Sequence, residues 1–230
     1  MDFCKEVRKQ TEYYWEASLK HPFVQGIADG TLELEKFKFY MLQDAYYLKH
    51  YMKLLAMLAA KANEDEDVAY FLETANFIRE AELELHRSTF KELHVTPEEI
   101  RNFQPAPAAY NYVSHMYQAF YTGSIADAYA AILPCPWLYQ EIGVALRKAT
   151  PGVKLYQQWI DLYASTEMEE TIEKQKEMMN RFAQMPGNNE RELTAHFKRS
   201  CYYEWQFWEM SWTCQDWQQE VYMNEHATIL

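Results

Sequence analysis

Seven side chains recur along residues 33–61 at intervals of 4-3-4-3-4-3: Phe37, Met41, Asp44, Leu48, Tyr51, Leu55 and Leu58. That spacing traces one face of a helix and cannot be the period of two that a strand requires. A helix this long must bury its stripe against other elements. No stretch of the chain alternates convincingly, so those partners are other helices. The chain therefore reads as all-α, a single-domain helical bundle of about eight helices.

The other segments follow suit. Asp2 can cap a first helix to about Leu19, with Phe3, Val7, Tyr14 and Trp15 inward. His21-Pro22 ends it, and Asp29-Gly30 is a turn. A helix from about Asp67 to Leu93 carries Phe71, Leu72, Ala75, Ile78 and Leu85 inward. Thr96-Pro97 begins a short turn by the N-cap and N1-proline rule, Phe103 to Pro107 is a loop, and a helix spans Ala108 to Thr122. Ser124 caps a helix that prolines interrupt and that ends near Ala149. Leu155 to Tyr163 and Glu167 to Gln184 form two helices or one kinked element. Beyond the loop Met185 to Asn189, a last helix runs from about Glu190 to Trp217. The domain is read as 1–230, with a patternless tail at 218–230.

Several function classes are disfavoured. Lys and Arg total 22 against 34 Asp and Glu, a net charge of −12 that opposes nucleic acid and anionic membranes as partners. No apolar run approaches the ~18 residues of a membrane span. The start, Met1 to Glu6, lacks the basic and apolar regions of a signal peptide. Cys4, Cys135, Cys201 and Cys214 show no paired or zinc-type spacing, which suggests free thiols in a reducing cytoplasm. The 18 Tyr, 12 Phe and 7 Trp fit either an aromatic core or a pocket that stacks a flat, polar heterocycle.

Three residues stand out chemically. Asp44 is the one acid in the stripe of the long helix, and a buried carboxylate costs several kcal/mol unless it is bonded. Tyr40, Tyr47 and Tyr51 lie within about two turns of it. Cys135 sits between Pro134 and Pro136. If Pro136 opens a new helix, Cys135 stands at a helix N-terminus, where amides and dipole favour a thiolate. An inert, buried thiol remains the competing reading. Glu204 belongs to a 4-3 stripe (Leu193, Phe197, Ser200, Glu204, Phe207, Ser211), but a more apolar one (Phe197, Cys201, Trp205, Trp208, Trp212) competes with it. Periodicity leaves Glu204 inside or at an edge. A thiol and two inward acids suit attack on an electron-poor ring with acid-assisted departure of a leaving group. Metal chemistry is the rival: Glu82 and His86 are spaced i, i+4 rather than as the Glu-x-x-His of di-iron bundles, and the remaining histidines are scattered. A haem needs only one axial histidine and stays open on counting alone.

Dispersed motifs now add a resemblance. The chain is similar to the TenA / thiaminase II family over about residues 1–217, through His21-Pro22-Phe23-Val24-Gln25-Gly26-Ile27, Leu42-Gln43-Asp44-Ala45-Tyr46-Tyr47-Leu48, Ser114-His115-Met116-Tyr117, Leu133-Pro134-Cys135-Pro136-Trp137-Leu138-Tyr139, Trp159-Ile160-Asp161-Leu162-Tyr163 and Tyr202-Tyr203-Glu204-Trp205-Gln206-Phe207-Trp208. The resemblance implies a haem-oxygenase-like helical fold, a homotetramer and no cofactor or metal. It implies hydrolysis of 4-amino-2-methylpyrimidine compounds at their methylene in thiamin salvage. Thiamin would lose its thiazole, and 4-amino-5-aminomethyl-2-methylpyrimidine would lose ammonia. By resemblance Cys135 is the nucleophile, Glu204 the proton donor, Asp44 the acid that grips the ring, and Tyr47 the group that raises the thiol's nucleophilicity. Tyr139 and Tyr163 contact substrate, and Tyr112, Phe207 and Tyr51 line the pocket. Pro136 and Trp205 stand where some members carry tyrosine. A metal-dependent oxygenase on the same scaffold and a non-catalytic binding protein for the thiamin pyrimidine are the alternative readings.

Overall fold

A computed structural model describes residues 2–217, so the tail at 218–230 lies outside the described residues. Among the described residues every regular element is helical: α1 (Phe3–Leu19), α2 (Pro22–Asp29), α3 (Leu34–Lys61), α4 (Asp65–Phe77), α5 (Leu83–Glu92), α6 (Pro97–Asn102), α7 (Pro107–Thr122), α8 (Ile125–Ile132), α9 (Pro134–Leu146), α10 (Lys154–Tyr163), α11 (Thr166–Ala183) and α12 (Glu190–Thr213). A π-helical turn, Ile78–Glu82, joins α4 to α5 without a break. Counting that rod once, the described residues hold eleven helices, not about eight.

The extra boundaries have local causes. The Ser165 hydroxyl accepts from the Met168 amide and caps α11, so α10 and α11 are separate helices. Thr96 and Glu99 form a reciprocal capping box that starts α6. The last helix stops at Thr213 rather than Trp217, because Cys214 adopts the left-handed conformation (φ 49°) that ends helices. Leu72, expected inside, is half exposed; the buried face of α4 runs through Phe71 and Ala75 instead.

The proline break differs from the expectation. Pro134, not Pro136, is the first residue of α9, and Leu133 before it is itself right-handed helical (φ −61°, ψ −36°). The carbonyl end of α8 therefore meets the amide end of α9 directly, and the two dipoles largely cancel at Cys135. A lone helix N-terminus does not explain a reactive thiol here. What the break supplies is register. Prolines cannot donate, so carbonyls in the last turn of α8 lose their usual partners. The buried Ser200 hydroxyl donates at 2.7 Å to Ala131 O, the carbonyl between the two, Ala130 and Ile132, that Pro134 and Pro136 leave without an amide partner. Cys135 lies four residues beyond Ala131, and Glu204 lies four beyond Ser200. One helical turn on each element thus brings the thiol and the carboxyl side by side.

The buried side chains form one continuous cluster, in which α3 packs against α4, α7 and α12. Tyr40 of α3 lies against Phe23 and Trp208, with ring centroids 5.2 and 5.9 Å away. Gln43 ties α3 to the loop before α7: its Oε1 accepts from the Ala106 amide at 2.9 Å. On α9, Gly143 lets the end of α10 approach closely. A Cβ at Gly143 would lie 2.4 Å from the Tyr163 carbonyl carbon and 2.7 Å from the Ala164 nitrogen. That approach sets the Tyr139 and Tyr163 rings 4.9 Å apart.

Gly143→Ala tests this contact. Alanine gains about 1 kcal/mol of helix propensity. The new methyl meets backbone rather than a movable side chain, and overpacking of that kind costs about 1–3 kcal/mol. The clash should win, lowering the unfolding midpoint by a few degrees. An unchanged or higher midpoint in a thermal melt would show that α9 and α10 separate freely.

Candidate active site

An inner cavity opens between α3, the α4 rod, α9, α10 and α11. Its wall includes Asp44, Tyr51, Cys135, Tyr139 and Tyr163, five of the nine residues expected at the site. The other four, Glu204, Tyr112, Tyr47 and Phe207, are buried behind that wall on α12, α7 and α3. A wider surface groove lined by Gln10, Arg191, Thr194 and Lys198 gathers no buried ionisable group, so the chemistry points to the inner cavity.

Glu204 is 2 % exposed, which resolves the choice left by periodicity. The Tyr112 hydroxyl donates to its Oε1 at 2.7 Å, and the Cys135 thiol shares a hydrogen bond with the same carboxyl. Burial pushes the Glu204 carboxyl up to about 8. The bonds from Tyr112 and Cys135 pull the other way, and the negative charge of Asp44 adds to the upward push. Glu204 therefore holds a proton at neutral pH while touching the half-buried thiol of Cys135. Tyr47 completes this layer. Its ring lies 4.9 Å from Tyr112 and 6.1 Å from Phe207. Burial, and then the neighbouring Cys135, push its hydroxyl well above the usual tyrosine range.

Asp44 is also buried and finds its partner in His86, whose Nε2 lies 3.0 Å from Asp44 Oδ2. Sequence reasoning missed His86, weighing it only as a metal ligand beside Glu82. A signal was available: α3 and the α4 rod fold back on each other at Asn63, so positions roughly equidistant from that turn meet. On the same side, the Tyr40 hydroxyl donates to the Tyr139 hydroxyl at 3.3 Å and accepts from Trp159 Nε1 at 3.2 Å. The cavity thus has a carboxyl–imidazole pair at one end and a thiol backed by a carboxylic acid in its side. Among the described residues no three of His, Cys, Asp and Glu converge as a metal-ligand set. His115 illustrates why: its Nε2 bonds the His196 carbonyl oxygen at 3.2 Å, and its ring stacks on His196. No helix among the described residues is long and apolar enough to cross a membrane.

Comparison with known proteins gives a consistent result. The profile of the TENA/THI-4/PQQC family matches residues 8–214. The aminopyrimidine aminohydrolase of Bacillus subtilis (strain 168) is 41% identical over 94% of this chain and 92% of its own. The solved TenA homologue from P. horikoshii OT3 superposes with a TM-score of 0.85 at 30% identity, covering 93% of this chain and 99% of the other. In fold alone, the chain also resembles a Shewanella denitrificans OS217 domain with a heme oxygenase-like fold, at a TM-score of 0.69 and 15% identity over 91% of this chain and 92% of that domain.

The raised Glu204 carboxyl makes a prediction about stability. Its folded value, about 8, exceeds its unfolded value of 4.5. Between those two pH values the folded state binds the extra proton, so this group's contribution to stability falls as pH rises from 4.5 to 8. Glu204→Gln keeps an acceptor for Tyr112 but removes the ionisation. The variant should melt higher than wild type at pH 8, with the gap closing toward pH 5. Parallel melting curves at both pH values would contradict the assignment.

Proposed function

Because the chain belongs to the TENA/THI-4/PQQC family, we propose that it is an aminopyrimidine aminohydrolase whose reaction is carried by Cys135, Glu204 and Asp44. The enzyme hydrolyses 4-amino-2-methylpyrimidine compounds at the methylene, releasing the hydroxymethylpyrimidine for thiamin salvage. The observation that carries the assignment of roles is the hydrogen bond between the Cys135 thiol and the Glu204 carboxyl, beside a cavity that Asp44 closes.

The steps follow from these positions. Asp44, braced by His86, binds the amino group and ring nitrogen of the pyrimidine. Tyr139 and Tyr163 contact the ring, and Tyr51, Tyr112 and Phe207 shape the space around it. The sulfur of Cys135 bonds to an electron-poor ring carbon while the thiol proton passes to the substrate's ring nitrogen. Electrons returning from the ring break the bond between methylene and leaving group; Glu204 gives its proton to a departing amine, whereas the thiazolium of thiamin departs as neutral thiazole and takes none. Water then adds to the methylene carbon, and its proton returns to Glu204 after loss of an amine or passes to solvent after loss of thiazole. The carbon–sulfur bond breaks, the ring nitrogen returns its proton, and the thiol is restored. Tyr47, beside Cys135, raises the nucleophilicity of the thiol. On the family resemblance the enzyme is a cytoplasmic homotetramer without a cofactor, and its charge of −12 agrees with a small-molecule substrate rather than nucleic acid.

Wild-type turnover of the aminomethylpyrimidine and of thiamin tests the reaction. Cys135→Ser should lower kcat by about a thousandfold or more on both. A variant with wild-type kcat would eliminate covalent catalysis. Asp44→Asn should weaken binding of the hydroxymethyl product about 10–100-fold by calorimetry, and unchanged affinity would remove Asp44 from ring recognition. Since Glu204 must carry its proton to release an amine, kcat/KM for the aminomethylpyrimidine should fall above about pH 8. That limb should vanish in Glu204→Gln, whose kcat drops about 10²–10⁴-fold.

A further inference from the structure

Tyr139 stands on α9 one turn beyond Cys135, and Tyr40 stands on α3 one turn before Asp44. Their hydroxyls meet at 3.3 Å, and Trp159 Nε1 of α10 reaches the Tyr40 hydroxyl at 3.2 Å. All three side chains are buried. Tyr139 is the member that lines the cavity, so this chain of hydrogen bonds runs from the core to the cavity wall.

Chemistry fixes its direction. An indole N–H can only donate, so the Tyr40 oxygen accepts from Trp159. Tyr40 has one hydrogen of its own, and among the described residues the other partner of its hydroxyl is the Tyr139 oxygen. A buried O–H left unpaired is costly, so Tyr40 donates to Tyr139. Tyr139 accepts that bond and cannot return one along the same line. Its own hydrogen is left for the cavity. Burial holds both hydroxyls well above the usual tyrosine range, so each keeps its hydrogen at neutral pH. Charge on Asp44, Glu204 and Cys135 acts on the Tyr139 hydroxyl, which places it among the groups that do the chemistry.

We propose that Trp159 and Tyr40 are positioning residues, which aim the Tyr139 hydrogen through this one-way chain at a ring nitrogen of the bound pyrimidine. This rests on the hydrolase reading above. Asp44 takes the amino group and the ring nitrogen beside it, and the second ring nitrogen is then the ring's remaining acceptor. The Tyr139 O–H is the matching donor. Its bond stays intact, but a hydrogen bond at that nitrogen draws electron density out of the ring as the sulfur of Cys135 adds. Neither Trp159 nor Tyr40 touches the substrate in this arrangement; each acts through Tyr139.

The test is the affinity for 4-amino-5-hydroxymethyl-2-methylpyrimidine, measured by calorimetry beside that for (2-amino-6-methylpyridin-3-yl)methanol. The pyridine keeps the nitrogen next to the amino group and carries C–H in place of the other. Trp159→Phe should weaken binding of the pyrimidine about tenfold and leave binding of the pyridine unchanged. Tyr40→Phe, which removes one oxygen and keeps the ring, should act in the same direction and carries the test if the tryptophan change costs folding. In a Tyr139→Phe background both penalties should disappear. Equal losses on the two ligands, penalties that persist in Tyr139→Phe, or unchanged affinity in both variants would overturn the positioning role while leaving the hydrolase intact. A wild-type enzyme that converts neither the aminomethylpyrimidine nor thiamin would overturn both readings.

Discussion

Two carboxyl groups share one aromatic core, and the molecule keeps them in different company. Asp44 faces an imidazole, whereas Glu204 faces a phenol and a thiol. An isolated buried carboxylate is too costly to keep charged, so Glu204 keeps its proton and becomes an acid. That choice limits everything around it. Tyr112 must donate to Glu204 from α7, and the ring of Tyr112 must be held by Tyr47 and by Tyr203, whose ring stacks on it at 5.5 Å. The tyrosine abundance that left two readings open in the sequence serves both: some rings fill the core, and others line the cavity or, as at Tyr112, bond the buried acid beside it.

The thiol is placed by register rather than by a dipole. With α8 running almost directly into α9, Cys135 sits inside a kinked rod, and its neighbour Glu204 comes from a different helix. The Ser200 bond to Ala131 fixes how those two rods slide past each other. On the far side, Arg8 forms a two-pronged ion pair with Glu141, which also accepts from Trp137 Nε1 at 2.8 Å. The segment that carries the cysteine is therefore braced from two directions by groups that never meet the cavity.

How much of this was legible depended on whether the relevant contact was local. Asp44 was visible because its stripe is otherwise apolar and the helix is straight. Glu204 was not, because α12 is buried around most of its girth: Ser200, Cys201, Glu204, Phe207, Trp208 and Ser211 are all inside, so both competing stripes are real. The helix count fell short because caps such as Ser165 act through one side chain and leave the hydrophobic period almost undisturbed. The overshoot at the end of α12 has the same origin, since the apolar pattern continues past the left-handed Cys214 that stops the helix. The cysteine was singled out as a thiol at a helix N-terminus, a reason that the continuous run of α8 into α9 replaces.

His86 was hidden for a sharper reason. Twelve residues separate Thr74 from His86, and at 100° per residue an unbroken α-helix would turn them about 120° apart. Thr74 could then line the cavity or His86 could reach Asp44, but one straight face could not do both. The π-helical turn at Ile78–Glu82 holds one more residue per turn, which takes back about 100° of that rotation. The two residues then share a face, and a single rod supplies both the brace for Asp44 and, through Thr74, part of the cavity wall. A search for α-helical periodicity cannot find such a face, because the irregular turn is what creates it.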